Sequence, residues 1–261
     1  PPVSEPIQIE LAESTVTSTT TTAVTTTTKP RPPADPRVDE AYQINDDVIG
    51  WITIMGDDDT PIVDEELLQS EDNAFYLSRD INKEYLFAGS IYSDYRDDFG
   101  YVESVHTKQM VIYGHNMLNG TKFGLLKYYR YGDLTGESSY VDEHPIITIS
   151  NKYHTYNYVI FAGINTREEG EDDVYYWRVH DFPTENDFST YYDWIIERNL
   201  LKDTKTAKAV DVKYGDYIVA LSTCANEGYR WVIYARRLRD DETIDMYLPS
   251  EETVTTTTNT E

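Results

Sequence analysis

Cysteine is nearly absent: Cys224 is the single one among 261 residues. One thiol forms no internal disulfide and no cysteine-rich zinc site. The five histidines, His106, His115, His144, His154 and His180, show neither HExxH nor His-x-His spacing, so no metal and no cofactor is expected. Positive charge is scarce as well, with 22 Lys and Arg against 47 Asp and Glu for a net −25. Nucleic acid is thereby excluded as a partner, because phosphate binding needs clustered cations. The same charge opposes docking on an anionic membrane surface. No run approaches the ~18 apolar residues of a spanning helix, and no charged-then-apolar leader opens the chain. Pro1 in place of Met reads as the start of a processed or truncated piece, so membrane association is expected only through an anchor outside this chain.

Aromatic residues are missing from one stretch. Residues 1–36 hold none, and ten of the fourteen positions from Thr15 to Thr28 are Thr, followed by a proline-rich run to Pro36. Such a segment has little to bury, so the cost of ordering it is not recovered. It is expected to be an extended, disordered stalk, and residues 250–261 a Thr-rich tail. What is there lies between. Residues 37–249 hold all 34 aromatic residues, ample for one folded domain. The flanks carry only −2 and −3, so the acidity belongs to that domain.

Strands dominate this middle part. Trp51 to Ile54, Gly89 to Tyr92, Gln109 to Tyr113, Ile146 to Ile149, Tyr156 to Ile164, Tyr217 to Leu221 and Trp231 to Ala235 are β-branched and aromatic, with Gly, Asp and Asn between them. That composition favours strand over helix. Asp187 to Asn199 places Phe188, Tyr191, Tyr192, Ile195 and Ile196 at helical spacing, and shorter helices are expected over Val38–Ile44 and Lys122–Tyr128. The expected fold is mainly β, a closed barrel with peripheral helices.

Candidate chemistry sits at strand ends. Leu221-Ser222-Thr223-Cys224 follows an apolar strand and presents the thiol at a rim. Arg230 opens the next strand, and an antiparallel pairing brings its permanently charged guanidinium near the thiol, where it is able to stabilise a thiolate or an oxyanion. His115, just past the strand from Gln109 and beside Gly114, is the candidate proton-transfer partner. Taken singly, a lone Cys is usually a buried apolar residue, a strand-end His is usually structural, and an Arg on a strand is usually an ion-paired surface group. Their joint appearance at strand ends of one small β domain raises all three.

These residues resemble a known family. Leu221-Ser222-Thr223-Cys224 is similar to the T/S-L-x-T-C motif of sortases, the cysteine transpeptidases of Gram-positive cell surfaces. Arg230 to Arg236 resembles the strand bearing that family's Arg. Tyr113 to Met117, with Gly120, Phe123 and Gly124, resembles the His segment of class B members. Asn45 to Ile52, Asn73 to Leu77 and Ala88 to Arg96 match class B as well, so the resemblance spans about residues 40–240. It implies a closed sortase-type barrel of about eight strands, with the long helix at Asp187 between strands 6 and 7. It also implies Cys224 as nucleophile attacking the Thr carbonyl of a sorting motif, His115 as acid and then base, and Arg230 at the oxyanion. Ser222, Thr223 and Asn116 are expected to line the substrate groove. The implied partners are a surface-protein sorting-motif peptide and an amine from a peptidoglycan cross-bridge or a pilin Lys. A monomer at the extracellular face of the cell membrane is expected. The loop from Cys224 to Arg230 is shorter than class B enzymes usually carry; Arg236 is the alternative to Arg230. The acidic loop from Asn165 to Trp177 either borders the groove or is merely solvated.

Rival readings are a cysteine hydrolase of another kind and a non-catalytic adhesion module. A papain-like protease is disfavoured because its thiol opens a helix near the start of the chain. The adhesion module requires an inert Cys224.

Overall fold

The structure, a computed structural model, describes residues 32–131, 139–172, 174–226 and 228–249. Most of the expected stalk and the tail lie outside the described residues. Backbone pairing begins at Pro32, inside the segment read as stalk: Thr155 N–H donates to its carbonyl at 3.1 Å. The Asp35 side chain then caps α1 (Pro36–Ile44), which starts on a proline, where no backbone donor is wasted.

Eight strands close into one barrel in the order β1-β2-β3-β4-β7-β8-β6-β5. They are β1 (Val48–Met55), β2 (Pro61–Leu68), β3 (Ile91–Ser93), β4 (Gln109–Tyr113), β5 (Ile146–Asn151), β6 (Thr155–Arg167), β7 (Ile218–Asn226) and β8 (Tyr229–Arg237). β2 pairs in parallel with β3, and β4 in parallel with β7; the other pairings are antiparallel. The expected mainly β barrel is therefore the fold observed.

The remaining helices are α2 (Lys127–Tyr131), α3 (Tyr140–Glu143), α4 (Glu185–Arg198) and α5 (Lys205–Ala209). α4 is the long helix foreseen between the sixth and seventh strands. It starts two residues earlier than its apolar pattern suggests, because Thr184 and Asp187 form a reciprocal capping box. The helix expected over Lys122–Tyr128 is instead a short 3-10 turn at Gly124–Leu126 running into α2. β2 was not foreseen, since its centre reads Asp64-Glu65-Glu66. Its charges are accommodated from outside the strand: Arg37 contacts Asp64 at 2.7 Å and Lys122 contacts Glu65 at 2.7 Å.

Strand alternation sorts the apolar residues into two cores. Ile52, Leu67, Ile112, Ile149, Val219, Leu221, Trp231 and Ile233 fill the barrel. Ile218, Ala220, Val232 and Tyr234 face outward and pack beneath Phe188, Tyr191, Trp194 and Ile195 of α4. Each such side chain contributes about 1.5–3 kcal/mol by leaving water. Both faces of β7 and β8 are thus buried over Ile218–Thr223 and Trp231–Arg237.

Candidate active site

The parallel register of β4 and β7 aligns Tyr113 with Ser222. His115 follows two residues after Tyr113, in the loop beyond β4, and Cys224 two residues after Ser222 on β7, so both come at the same end of this strand pair. β8 pairs antiparallel with β7 and sets Cys224 directly across from Arg230. Gly228, with φ +74°, makes the tight turn between them in the left-handed region that suits glycine. Arg230 Nη1 donates to Cys224 Sγ at 2.9 Å, and Nη2 contacts Glu168 Oε1 at 2.5 Å. Three segments distant in sequence thereby converge.

His115 is held through both ring and backbone. Its Nε2 lies 2.8 Å from the carbonyl oxygen of Leu77. A carbonyl only accepts, so Nε2 carries a proton and Nδ1 is the nitrogen left for proton transfer. Its own carbonyl accepts from the N–H groups of Met117 at 3.1 Å and Phe123 at 3.0 Å. Asn116 Nδ2 donates to the Cys224 carbonyl at 2.8 Å, tying the loop of His115 to β7.

Ser222 and Thr223 point to opposite faces of β7. Ser222 is buried, and its hydroxyl is bonded at 2.6 Å to Tyr176, whose phenol burial pushes up to about 12. It forms a wall behind the thiol rather than an open groove contact. Thr223 is also buried, its hydroxyl without a hydrogen-bond partner among the described residues, and it lines a small cavity with Cys224. Arg236, the alternative to Arg230, is fully buried and paired with Glu242 at 2.5 Å, opposite Ile218 at the other end of the hairpin.

Several supporting groups lie in the Ala88 to Arg96 and Tyr113 to Met117 runs but were not singled out in the sequence. Tyr92 packs on Tyr113 with ring centroids 5.3 Å apart, and burial raises both phenols, so they stay neutral. Tyr113 donates to Asp94 at 2.9 Å. Burial alone would raise the Asp94 carboxyl, but hydrogen bonds led by those from Arg96 hold it below its ordinary value. Of the acidic loop, Asn165 to Arg167 belongs to β6, and Glu168 reaches the site through Arg230. Among the described residues, Asp57, Glu143 and His144 bring possible metal-ligating atoms within 4.8 Å of one another. They lie at the turn after β1 and on α3, not around Cys224.

No family model matches the chain. Sortase B of Listeria monocytogenes is 31% identical over 188 residues, covering 72% of this chain and 67% of that protein. The chain belongs to the class B sortases. Sortase B of Staphylococcus aureus is 27% identical over 189 residues, covering 72% of this chain and 68% of that protein. The fold agrees with this sortase assignment. The Bacillus anthracis sortase B structure in complex with AAEK1 matches with a TM-score of 0.62 at 27% identity, covering 80% of this chain and 89% of that one. The Staphylococcus aureus sortase B–substrate complex matches at 0.63 and 25% identity, over 79% of this chain and 86% of that one. Membership carries the general activity of a cysteine transpeptidase to this sortase.

Proposed function

We propose that this sortase cleaves a sorting motif near the C-terminus of a surface protein and ligates that protein to a cell-wall amine, as a monomer at the cell surface. The Cys224 thiol passes its proton to His115, the sulfur attacks the motif's Thr carbonyl carbon, an S–C bond forms, and the carbonyl electron pair moves to oxygen, which accepts a hydrogen bond from Arg230 Nη1 until the C=O re-forms. His115 gives a proton to the departing amine as its C–N bond breaks, leaving a thioester. An acceptor amine then attacks that carbonyl carbon. Its proton passes to His115 and the C–S electron pair returns to sulfur. Asn116 fixes the position of Cys224 through its carbonyl, Ser222 backs the thiol through Tyr176, and Thr223 borders the site from the barrel side.

The observation that carries this reading is the 2.9 Å contact of Arg230 with the Cys224 sulfur, with the loop bearing His115 bonded to the Cys224 carbonyl through Asn116. The solved substrate complex of the Staphylococcus aureus relative supports a peptide substrate. Intact-mass spectrometry with peptides bearing LPxTG-type and NPxTN-type motifs tests it. A thioacyl adduct on the protein, absent from Cys224→Ala and released as a ligated product by triglycine, is the expected result. A chain that forms no adduct with any peptide in the pool overturns it.

A further inference from the structure

Two carboxylates, Asp94 and Asp97, lie in the segment after β3 with fully buried side chains. Buried carboxylates need compensating cations and donors. Asp94 accepts from Arg96 Nε and Nη2, both at 2.7 Å, and from Asn73 and Tyr113. Asp97 Oδ2 accepts from Ser93 and from the Val111 N–H, both at 2.9 Å, and its Oδ1 lies 2.7 Å from Nδ1 of His180.

Arg96 and His180 meet at one further atom. Arg96 Nη2 donates to the Trp177 carbonyl at 2.6 Å, and His180 Nε2 lies 3.0 Å from the same oxygen. Trp177 is the middle residue of the 3-10 turn Tyr176–Arg178. That turn brings the Tyr176 hydroxyl to Ser222 at 2.6 Å, two residues before Cys224. Asp94 reaches Tyr113, two residues before His115. One buried charge cluster thereby touches both strands that lead to the reacting groups.

The His180 ring is constrained at both nitrogens. A carbonyl only accepts, so Nε2 carries a proton. A second proton lies between Nδ1 and Asp97 Oδ1, whichever atom holds it, because two lone pairs at that distance repel. Burial raises the Asp97 carboxyl in spite of the bonds it receives, led by that of His180, so the pair retains this proton. Asp94 also faces His180, 3.7 Å from Nε2, and from β4 the neutral Gln109 donates its N–H to the His180 carbonyl at 3.0 Å. Gln109 in turn joins Tyr191 of α4, a phenol kept neutral by burial, as Tyr113 is. Arg178 and Asp181 flank His180 in its own segment.

We propose that His180 is a positioning residue for acylation: with two protons shared between it and Asp97, it holds the Trp177 carbonyl and so keeps Tyr176 on Ser222 behind Cys224. Arg96 is its partner in that hold. When rising pH takes the second proton, two arrangements remain. Either Nδ1 keeps the last proton for Asp97 and the Trp177 carbonyl loses its ring donor, or Nε2 keeps it and Asp97 stays charged against a lone pair. Both loosen the turn. The role in acylation rests on the transpeptidase reading; the hold on the turn does not.

Hydrogen exchange reads the hold without substrate. The Arg178 and Val179 amides bond within the turn at 2.8 and 3.2 Å. Their protection, corrected for the intrinsic rate, is followed from about pH 5 to about pH 9 to bracket the imidazole range. Wild type is expected to lose about tenfold protection as pH rises, the scale of one charge-assisted hydrogen bond. His180→Gln should be low throughout, and Asp97→Asn should lose protection at lower pH than wild type. A double-mutant cycle then ties the hold to chemistry. Acylation is measured at saturating peptide in wild type, His180→Gln, Tyr176→Phe and the double variant. Each single change is expected to slow it about tenfold, and the double variant to be no slower than the slower single one, since both act through Ser222. If His180→Gln does not fold, Asp97→Asn takes its place in the cycle. Single effects that multiply to about a hundredfold, or a wild-type turn whose protection does not change with pH, overturn the role of His180. Absence of any thioacyl adduct in wild type overturns the transpeptidase reading, while the exchange measurement still decides whether His180 holds the turn.

Discussion

The guanidinium of Arg230 bridges Cys224 and Glu168, donating to the sulfur at 2.9 Å through Nη1 and contacting the carboxylate at 2.5 Å through Nη2. One planar group serves both because its donors are fixed in a fork. Arg230→Ala is expected to slow thioester formation about 10²- to 10³-fold, the usual loss for an oxyanion donor. Arg230→Lys should not restore it, since a single ammonium does not reproduce the fork. Single-turnover mass spectrometry of the acyl-enzyme measures both.

Glu168 is about half exposed, at 53%. Its ion pair with Arg230 is therefore screened by solvent, and Glu168→Gln should change stability by less than about 1 kcal/mol. Its effect should appear in catalysis instead, as a weaker dependence of kcat/KM on salt. A variant whose salt dependence matches wild type would refute a positioning role for Glu168.

Gly124 lies where the His115 loop folds back on itself. A Cβ built there stands 2.2 Å from the Met117 carbonyl oxygen, a backbone atom with no side-chain freedom to move aside. Gly124→Ala must therefore displace the loop that His115 anchors through Met117 and Phe123. Turnover is expected to fall about 100-fold, as for a displacement of about 1 Å near the reacting atoms. The accompanying loss of melting temperature should be small. Equal losses in both would place the effect in the fold alone.

Acid should destabilise the barrel in two stages. Burial lowers His106, and its ring is held neutral, accepting from Arg237 at 3.2 Å and bonded to the Gly100 carbonyl at 2.7 Å. Its folded value lies below 6.5, so the unfolded chain binds the proton more readily and stability falls as pH drops below about 6.5. Glu242 is desolvated, which alone would raise it, but its bonds from Arg236, the Arg239 backbone and Tyr247 bring it down to about 2. Its contribution is fully present above about 4.5 and is lost as pH falls from there toward about 2. Glu242→Gln should cost about 3 kcal/mol at neutral pH, because Arg236 is left buried and charged. The same variant should lose the lower acid limb. Chemical denaturation across pH checks both signs, and a variant that keeps the lower limb would exclude Glu242 as its source.

The strands bearing the site were legible because Gln109 to Tyr113, Tyr217 to Leu221 and Trp231 to Ala235 carry dense β-branched and aromatic residues. Their local chemistry leaves little choice but an extended, two-sided burial. Cys224, His115 and Arg230 were legible as a set, each standing just beyond or at the end of such a run. β2 was hidden, because its charged centre is stabilised by Arg37 and Lys122 from other elements. The chain favoured Arg230 over Arg236 because Arg230 opens the strand after Cys224, but what each guanidinium would pair with was beyond it. Both are arginines on one strand, and only the pairing register sets Arg230 against Cys224 and buries Arg236 on Glu242. The same holds for Leu77, whose carbonyl orients His115 from 38 residues away. Side-chain identity along a strand is a local property. Which groups face one another depends on non-local strand pairing and barrel closure, and those exist only in the folded chain.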